Sequence, residues 1–294
     1  TEITGFTAHT IHKLLEYNLE NQHFGRDMDN PIDADVLIVD EASMIDTVLM
    51  HHLLAAVPLP TRLILVGDAD QLPSIGPGNL LGDLIISNTM PVYFLNTVFR
   101  QNAESLIVAN AHRVLNGKMP VMGTFQEILA PDAEFVFIEQ NDPAKIADII
   151  VDLCTQSLPE PFVSNPLHAI QVLTPMHKGP AGTIALNHSL QHALNPGAAV
   201  ISGSAHASAF KIGDKVMHLK NNYKKEVFNG DMGVISAWDP DAETLTVAYE
   251  GRLVEYGPDE IDELTLGYAI SVHKSQGSEY PVVILPLITH HYVM

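Results

Sequence analysis

Among 294 residues there is a single cysteine, Cys154, so the chain can close no disulfide within itself. That usage fits a reducing compartment: the expected location is cytoplasmic, and the thiol reads as a core residue, not a nucleophile. No apolar run reaches the roughly 18 residues that a membrane helix needs, and the first residues do not resemble a signal peptide, so no membrane partner is expected. Positive charge is scarce too, with 15 lysines and arginines against 35 acids and a formal charge of −20. This balance argues against indiscriminate nucleic-acid binding and leaves room only for a local basic channel. No G-x-x-x-x-G-K-[ST] pattern occurs, so the chain shows no phosphate-cradling loop of that kind. The fifteen histidines, the His290-His291 pair included, lack ligand spacing and read as non-metal. What remains, at 46% hydrophobic and 17% charged residues, is an ordinary globular composition with length for about two domains. The chain opens on Thr1 and ends on Met294 after an apolar stretch, the pattern expected of a piece of a longer protein.

One short run organises the rest: residues 35–46, D-V-L-I-V-D-E-A-S-M-I-D. Val36 to Val39 form a brief, β-branched apolar stretch and predict a fully buried parallel strand. Asp40 and Glu41 then stand at its C-terminal tip, where open α/β sheets bind ligands. Asp40 suits a hydrated Mg²⁺ ion and Glu41 the orientation of an attacking water. A lone D-E pair would more often be a solvated turn, but a helix-like stretch (residues 47–57) and a second strand, Leu63 to Val66, follow. That strand runs into G-D-A-D-Q-L-P-S-I-G-P-G at residues 67–78, which places Gly67, Asp68 and the amide of Gln71 at another strand tip.

Taken together, strand–D-E-A-S and strand–G-D-x-x-Q-L-P-S resemble motifs II and III of superfamily 1 DNA helicases, and S-M-I-D with P-S-I-G-P-G resembles the RecD-like branch. The resemblance extends over almost the whole chain. T-I-H-K-L-L at residues 10–15 is similar to a family segment that lies along single-stranded DNA, which implies contacts from Thr10 and His12. The competing reading is a capped helix start, with Thr7 or Thr10 as N-cap and Ile11, Leu14 and Leu15 facing the core. F-R-Q at residues 99–101, after an expected strand at Val92 to Leu95, resembles the family's motif IV, so Arg100 would touch the γ-phosphate. V-L-T-P-M-H-K-G and L-N-H-S-L-Q-H-A-L-N-P are similar to family pieces that imply DNA contacts from Thr174, Lys178 and Asn187; loop and helix-surface chemistry is the alternative. L-G-Y-A-I-S-V-H-K-S-Q-G-S-E resembles motif V. Ser271, His273 and Lys274 would meet the DNA backbone, while Gln276, Gly277 and Glu279 would face the nucleotide. Ser271 stands where the family commonly has threonine.

Between these pieces, strands alternate with helices: an expected strand at Phe135 to Ile138, a helix opened by Asp142-Pro143, a strand at Ala169 to Leu173, and a helix through Ile184, Leu186 and Leu190. Near residue 208 short strands take over, separated by Asn229-Gly230, Asp239-Pro240-Asp241 and Glu250-Gly251 turns. They read as a small inserted β-barrel, Src-homology-3-like by resemblance. Five of the ten lysines (211, 215, 220, 224 and 225) fall within residues 211–225. Lys220, with Asn222 and a candidate stacking platform in Tyr223, suggests a phosphate-contacting face, against the alternative of a lysine-guarded sheet edge.

The expected fold is therefore α/β: two RecA-like parallel-sheet domains, the first incomplete, with an inserted barrel. Expected boundaries are 1–100, 101–207, 208–262 and 263–294. The resemblance implies an ATP-dependent 5′-to-3′ helicase acting on single-stranded DNA in repair or recombination, with ATP and Mg²⁺ between the two sheets. It also implies a phosphate loop upstream and an arginine motif downstream, so the 294 residues alone are expected to turn over little ATP. The alternative is a catalytically silent DNA-binding or scaffold subunit of an exonuclease complex, and other subunits of such a complex are candidate partners either way.

Overall fold

The computed structural model describes residues 5, 7–18, 21–95, 105–123, 134–158, 166–197, 201 and 210–288. It divides into two units, Thr1–Ala103 and Glu104–Met294, each taken here by itself.

In the first unit, α1 (Ile11–Leu14) begins at Thr10, whose hydroxyl accepts from the Lys13 N–H at 3.3 Å. Of the two expected caps Thr10 is thus the one used, and Leu15 is fully buried behind it. A hairpin of β1 (Tyr17–Asn18) and β2 (His23–Phe24) follows. It is fastened by Arg26, which donates to Glu16 at 2.7 and 2.9 Å. Then come β3 (Val36–Val39), α2 (Thr47–Ala56), β4 (Arg62–Leu65) and α3 (Leu80–Ser87). β3 and β4 are parallel, with Val36 opposite Arg62 and Val39 opposite Leu65; such a pair needs a crossover, which α2 provides.

The core of this unit gathers Leu15, Ile32, Val39, Ala42, Ile45, Met50, Leu53, Ala56 and Leu81. β3 is not the fully buried strand its composition predicts. Val39 is buried, whereas Val36 and Ile38 are 49% and 64% exposed. Alternation sends Leu37, Val39, Leu63 and Leu65 to the core side and Val36, Ile38 and Ile64 to the other. An all-apolar run reads alike for strands covered on one face or two; the covering elements decide. Val92 to Leu95 also departs from expectation: among the described residues it joins no ladder, and its side chains are exposed. Strand propensity alone is not enough without a neighbouring edge to pair with.

The second unit contains α4 (Leu106–Leu115), α5 (Pro143–Asp152, continued by a π turn to Ser157), α6 (Pro166–Ala169), β5 (Ile170–Thr174) and α7 (Thr183–Leu194). The Asp142 carboxylate caps α5 through the Ala144 N–H at 3.0 Å. The expected Phe135–Ile138 strand shrinks to a single bridge between Val136 and Gly123. Next is a five-stranded antiparallel sheet: β6 (Lys215–His218), β7 (Met232–Asp239), β8 (Thr244–Tyr249), β9 (Arg252–Tyr256) and β10 (Leu264–Leu266), in spatial order β10-β6-β7-β8-β9. Among the described residues no ladder joins β9 to β10. Finally β11 (Ala269–Ser271) and β12 (Val282–Ile284) flank β5 in a parallel sheet of order β11-β5-β12. The small sheet is thus an insertion between α7 and β11, and its Val216, Ile235, Leu245 and Val247 share one core with Ile150, Ile170, Leu186 and Leu190.

Candidate functional site

Two parallel strands in register must end side by side. The β3–β4 ladder continues past both strands, with the Val66 N–H donating to the Val39 carbonyl at 2.8 Å and the Ala42 N–H to the Val66 carbonyl at 2.9 Å. Asp40 and Glu41 therefore share one edge of the sheet with Gly67 and Asp68, and all four are exposed. Glu41 sits in the left-handed region at φ 52° and donates its N–H to Asp40 Oδ1 at 2.9 Å. A non-glycine residue there is uncommon and marks a local constraint. Gly67 lets the two segments approach closely: a Cβ would lie in tight contact, 3.0 Å from the Ala42 nitrogen and 3.1 Å from that of Ser43. Ser43 beneath is buried, its hydroxyl without a partner among the described residues.

Asp68 bends the following turn, accepting from the Asp70 N–H at 2.9 Å, and Gln71 emerges from it exposed. The P-S-I-G-P-G loop is then clamped to the start of α2. Asp46 caps that helix through the Leu49 N–H at 2.7 Å, and Thr47 N–H reaches the Pro77 carbonyl at 3.0 Å. A Cβ on Gly76 would fall 1.9 Å from Asp46 Oδ2, so the loop seats only because Gly76 is bare. Asp46 also acts on His12, which packs against the rings of Tyr17 at 5.3 Å and Phe24 at 5.8 Å. Burial lowers the His12 pKa and the Asp46 carboxylate partly restores it. Arg100 lies outside the described residues.

In the second unit the same strand-tip logic brings Ser271 of β11 opposite Thr174 of β5. The two are not equivalent. Thr174 is wholly buried and donates its hydroxyl to the Ala181 carbonyl at 2.8 Å, so it ties down the loop that carries Lys178, which is exposed. Asn187 is likewise no surface group. Its amide donates to the Ala269 carbonyl at 2.8 Å and accepts from the Ala269 N–H at 2.9 Å, holding β11 as a neighbouring strand would. After Ser271, a 3-10 turn (Val272–Ser275) carries exposed His273 and half-buried Lys274, whose pKa burial lowers. Gln276 is half-buried, and exposed Gly277 (φ 76°) and Glu279 follow on the same segment.

The lysine cluster disperses in three dimensions. Lys215 points inward, 5% exposed, its amine donating to the Ile170 carbonyl at 3.2 Å. Burial brings its pKa down to about 8, partly offset by Cys154. Lys211 bonds the Asn195 carbonyl at 3.2 Å. Lys220, Lys224 and Lys225 remain on the loop between β6 and β7, where Tyr223 packs edge-on against Phe228 at 5.8 Å. Sequence reasoning also missed Asp214, fully buried and accepting from Gln191, Asn195, Lys211 N–H and Tyr268 Oη, which joins α7, the inserted sheet and the approach to β11. Its only sequence signal is an acid in the turn before a strand.

Comparison with known proteins gives the relatives of the chain. The profile of an AAA domain matches residues 1–128, and that of the SH3 domain of ATP-dependent RecD-like DNA helicases matches residues 186–249. The profile of the UvrD-like helicase C-terminal domain matches residues 266–294. The chain is 38% identical over its whole length to the ATP-dependent RecD2 DNA helicase of Deinococcus radiodurans. It is similar to the RecD-like helicases. This RecD-like chain is also 28% identical, over 94% of its length, to the RecBCD enzyme subunit RecD of Mycolicibacterium smegmatis. It spans 38% of the first relative and 49% of the second. Its fold is similar to that of a Pif1 helicase from Bacteroides solved in complex with ADP-AlF3 and ssDNA. The TM-score is 0.54 at 16% identity, covering 95% of this chain and 73% of that one. No described helix of the RecD-like chain is long and apolar enough to cross a membrane.

Proposed function

We propose that this chain is the motor core of an ATP-dependent DNA helicase that moves 5′ to 3′ on single-stranded DNA. The observation that carries the reading is the shared edge of β3 and β4, where Asp40, Glu41, Gly67 and Asp68 lie together with Glu41 in a left-handed conformation. Phosphoryl transfer asks little covalent chemistry of a protein; it needs charge, a positioned water and a contact on the terminal phosphate. Glu41 orients the water, and Gln71 hydrogen-bonds the γ-phosphate from the adjoining turn. Arg100 is assigned the second phosphate contact by family resemblance. Asp40 fits a magnesium site: an exposed carboxylate at a strand tip suffices for an ion that keeps several waters and takes its remaining ligands from phosphates. When bound, that ion neutralises charge on the transferring phosphoryl group. In the second unit Gln276, Gly277 and Glu279 serve the nucleotide side.

DNA contacts are assigned to Thr10 and His12 in one unit and to Lys178, Ser271, His273, Lys274 and the Lys220–Tyr223 loop in the other. His12 acts there as a neutral ring, since burial opposes its charging. Thr174 and Asn187 act one step back, fixing the backbone from which Lys178 and Ser271 project. In the longer relatives the corresponding region is part of a RecD2 helicase or of a RecBCD subunit, so partner subunits belong to the same proposal.

The test is Glu41→Gln in the full-length protein that carries this chain. DNA-stimulated ATP hydrolysis is expected to fall by about 10²–10⁴-fold, the range for a lost general base, with single-strand affinity unchanged. Hydrolysis and unwinding undiminished by the substitution would remove Glu41 from the catalytic role, and no hydrolysis even with Glu41 in place would identify a silent scaffold subunit.

A further inference from the structure

The loop between β6 and β7 is rigidly built. Asn222 and Val227 exchange backbone hydrogen bonds at 2.7 and 3.1 Å, the Asn222 side chain accepts from the Lys225 N–H at 3.2 Å, and Asn221 accepts from the Asn229 N–H at 2.9 Å. Three of its polar side chains meet the acidic turn just before β10. Lys220 faces Asp262 at 3.8 Å, the Asn222 amide reaches Glu263 at 3.5 Å, and Lys225 meets Glu260 at 2.5 Å. The three contacts differ in strength. Lys225 also donates to the Glu255 carbonyl, and Glu260 also accepts from the Gly257 N–H at 2.9 Å, so that pair is part of the fold. Burial by itself would raise the Glu260 pKa, yet these hydrogen bonds hold it below the usual range. Lys220 and Asp262 are 59% and 53% exposed, and a pair so open is worth little and exchanges readily.

We propose that the acidic turn at residues 260–263 is a built-in competitor for nucleic-acid phosphate on this lysine loop, with Asp262 occupying the place on Lys220 that a phosphate takes. The inference rests on the reading of the loop as a DNA contact. In a chain with a formal charge of −20, such a competitor makes each phosphate displace a carboxylate instead of a loosely held counterion. Binding through Lys220 then adds little to the salt dependence, because that dependence comes from released counterions. Freeing Lys220 restores the ordinary behaviour.

The experiment measures binding of a fluorescein-labelled oligo(dT) by the 294-residue chain, by anisotropy, across salt concentrations. Asp262→Asn should tighten binding by about 1.4- to five-fold at low salt, matching the 0.2–1 kcal/mol of an exposed pair. It should also steepen the slope of log K against log salt by about 0.7, one extra single-strand phosphate contact. Asp241→Asn, the same charge change on the exposed β7–β8 turn, should do neither. On a Lys220→Gln background the Asp262→Asn gain should vanish. Equal gains from Asp262→Asn and Asp241→Asn would overturn the proposal, reducing it to bulk charge. So would weakening by Lys220→Gln without any gain from Asp262→Asn, but the loop would then stand as a DNA contact. Binding by none of the variants, or no response at either residue, overturns the competitor and removes this loop from the DNA path. The Glu41→Gln hydrolysis result is independent of all these outcomes.

Discussion

Asp214 is the residue whose replacement should damage this chain most. Its carboxylate is fully buried and accepts four hydrogen bonds: Gln191 Nε2 at 2.5 Å, Lys211 N–H at 2.7 Å, Asn195 Nδ2 at 2.8 Å and Tyr268 Oη at 3.0 Å. Asp214→Ala takes the acceptor from four donors, of which those of Gln191 and Tyr268 are buried and those of Asn195 and Lys211 part-buried, and a buried donor left unsatisfied costs about 1–3 kcal/mol. Water entering the vacated space and relief of the carboxylate's own desolvation offset part of this, which brings the expected loss to about 4 kcal/mol, at the exceptional end for one substitution. Tyr268→Phe removes one donor and leaves the other three, so about 1 kcal/mol is expected. Asp214→Asn keeps the shape but turns one acceptor into a donor facing donors, and should fall between the two. The sole tryptophan, Trp238 on β7, reports on the inserted sheet, so urea titration followed by its fluorescence is the assay. With a slope of about 2 kcal/mol/M, Asp214→Ala should lower the midpoint by about 2 M. If Asp214→Ala and Tyr268→Phe shift it equally, the carboxylate is not the hub its bonds describe.

Gly76→Ala drives a methyl group into the Asp46 carboxylate and should cost about 1–3 kcal/mol of local stability, as overpacking does; faster hydrogen exchange at the Leu49 and Thr47 amides would register it, and unchanged protection would contradict it. His218, fully buried beside Tyr256 and Glu263, has its pKa lowered by burial, with Glu263 opposing. The unfolded chain therefore takes up this proton first as pH falls below about 6.5, so the stability His218 contributes is complete above that value and drains away below it. Urea midpoints at pH 7.5 and 5.5 should drop more for the wild type than for His218→Gln, and equal drops would rule the histidine out.

Much of the site could be read from local chemistry. Thr10, Asp46 and Asp142 cap helices because a short side-chain oxygen can reach the free N–H groups of a first turn. The Asn229-Gly230 and Glu250-Gly251 turns flank strands of the inserted sheet, since their glycines accept the positive φ of 99° and 76° found there. Asp40 and Glu41 follow β3 because a four-residue apolar run between acids has little choice of length. Other features turned on partners distant in the chain. Thr174 and Asn187 resemble solvent-facing groups until Ala181 and Ala269 are seen against them. Lys215 belongs by sequence to a basic cluster, yet alternation along β6 turns it toward Ile170.

By itself the sequence determined strands such as β3, β4 and β5, where α1 and α5 begin, and that two acids and an amide follow adjacent strands, because caps, turns and apolar periodicity act over a few residues. Tertiary structure alone decided which of those polar groups face solvent, which lysines remain on the β6–β7 loop, and which acids stand against them. Burial and pairing of charge depend on segments tens of residues away, and no local pattern encodes who arrives beside whom.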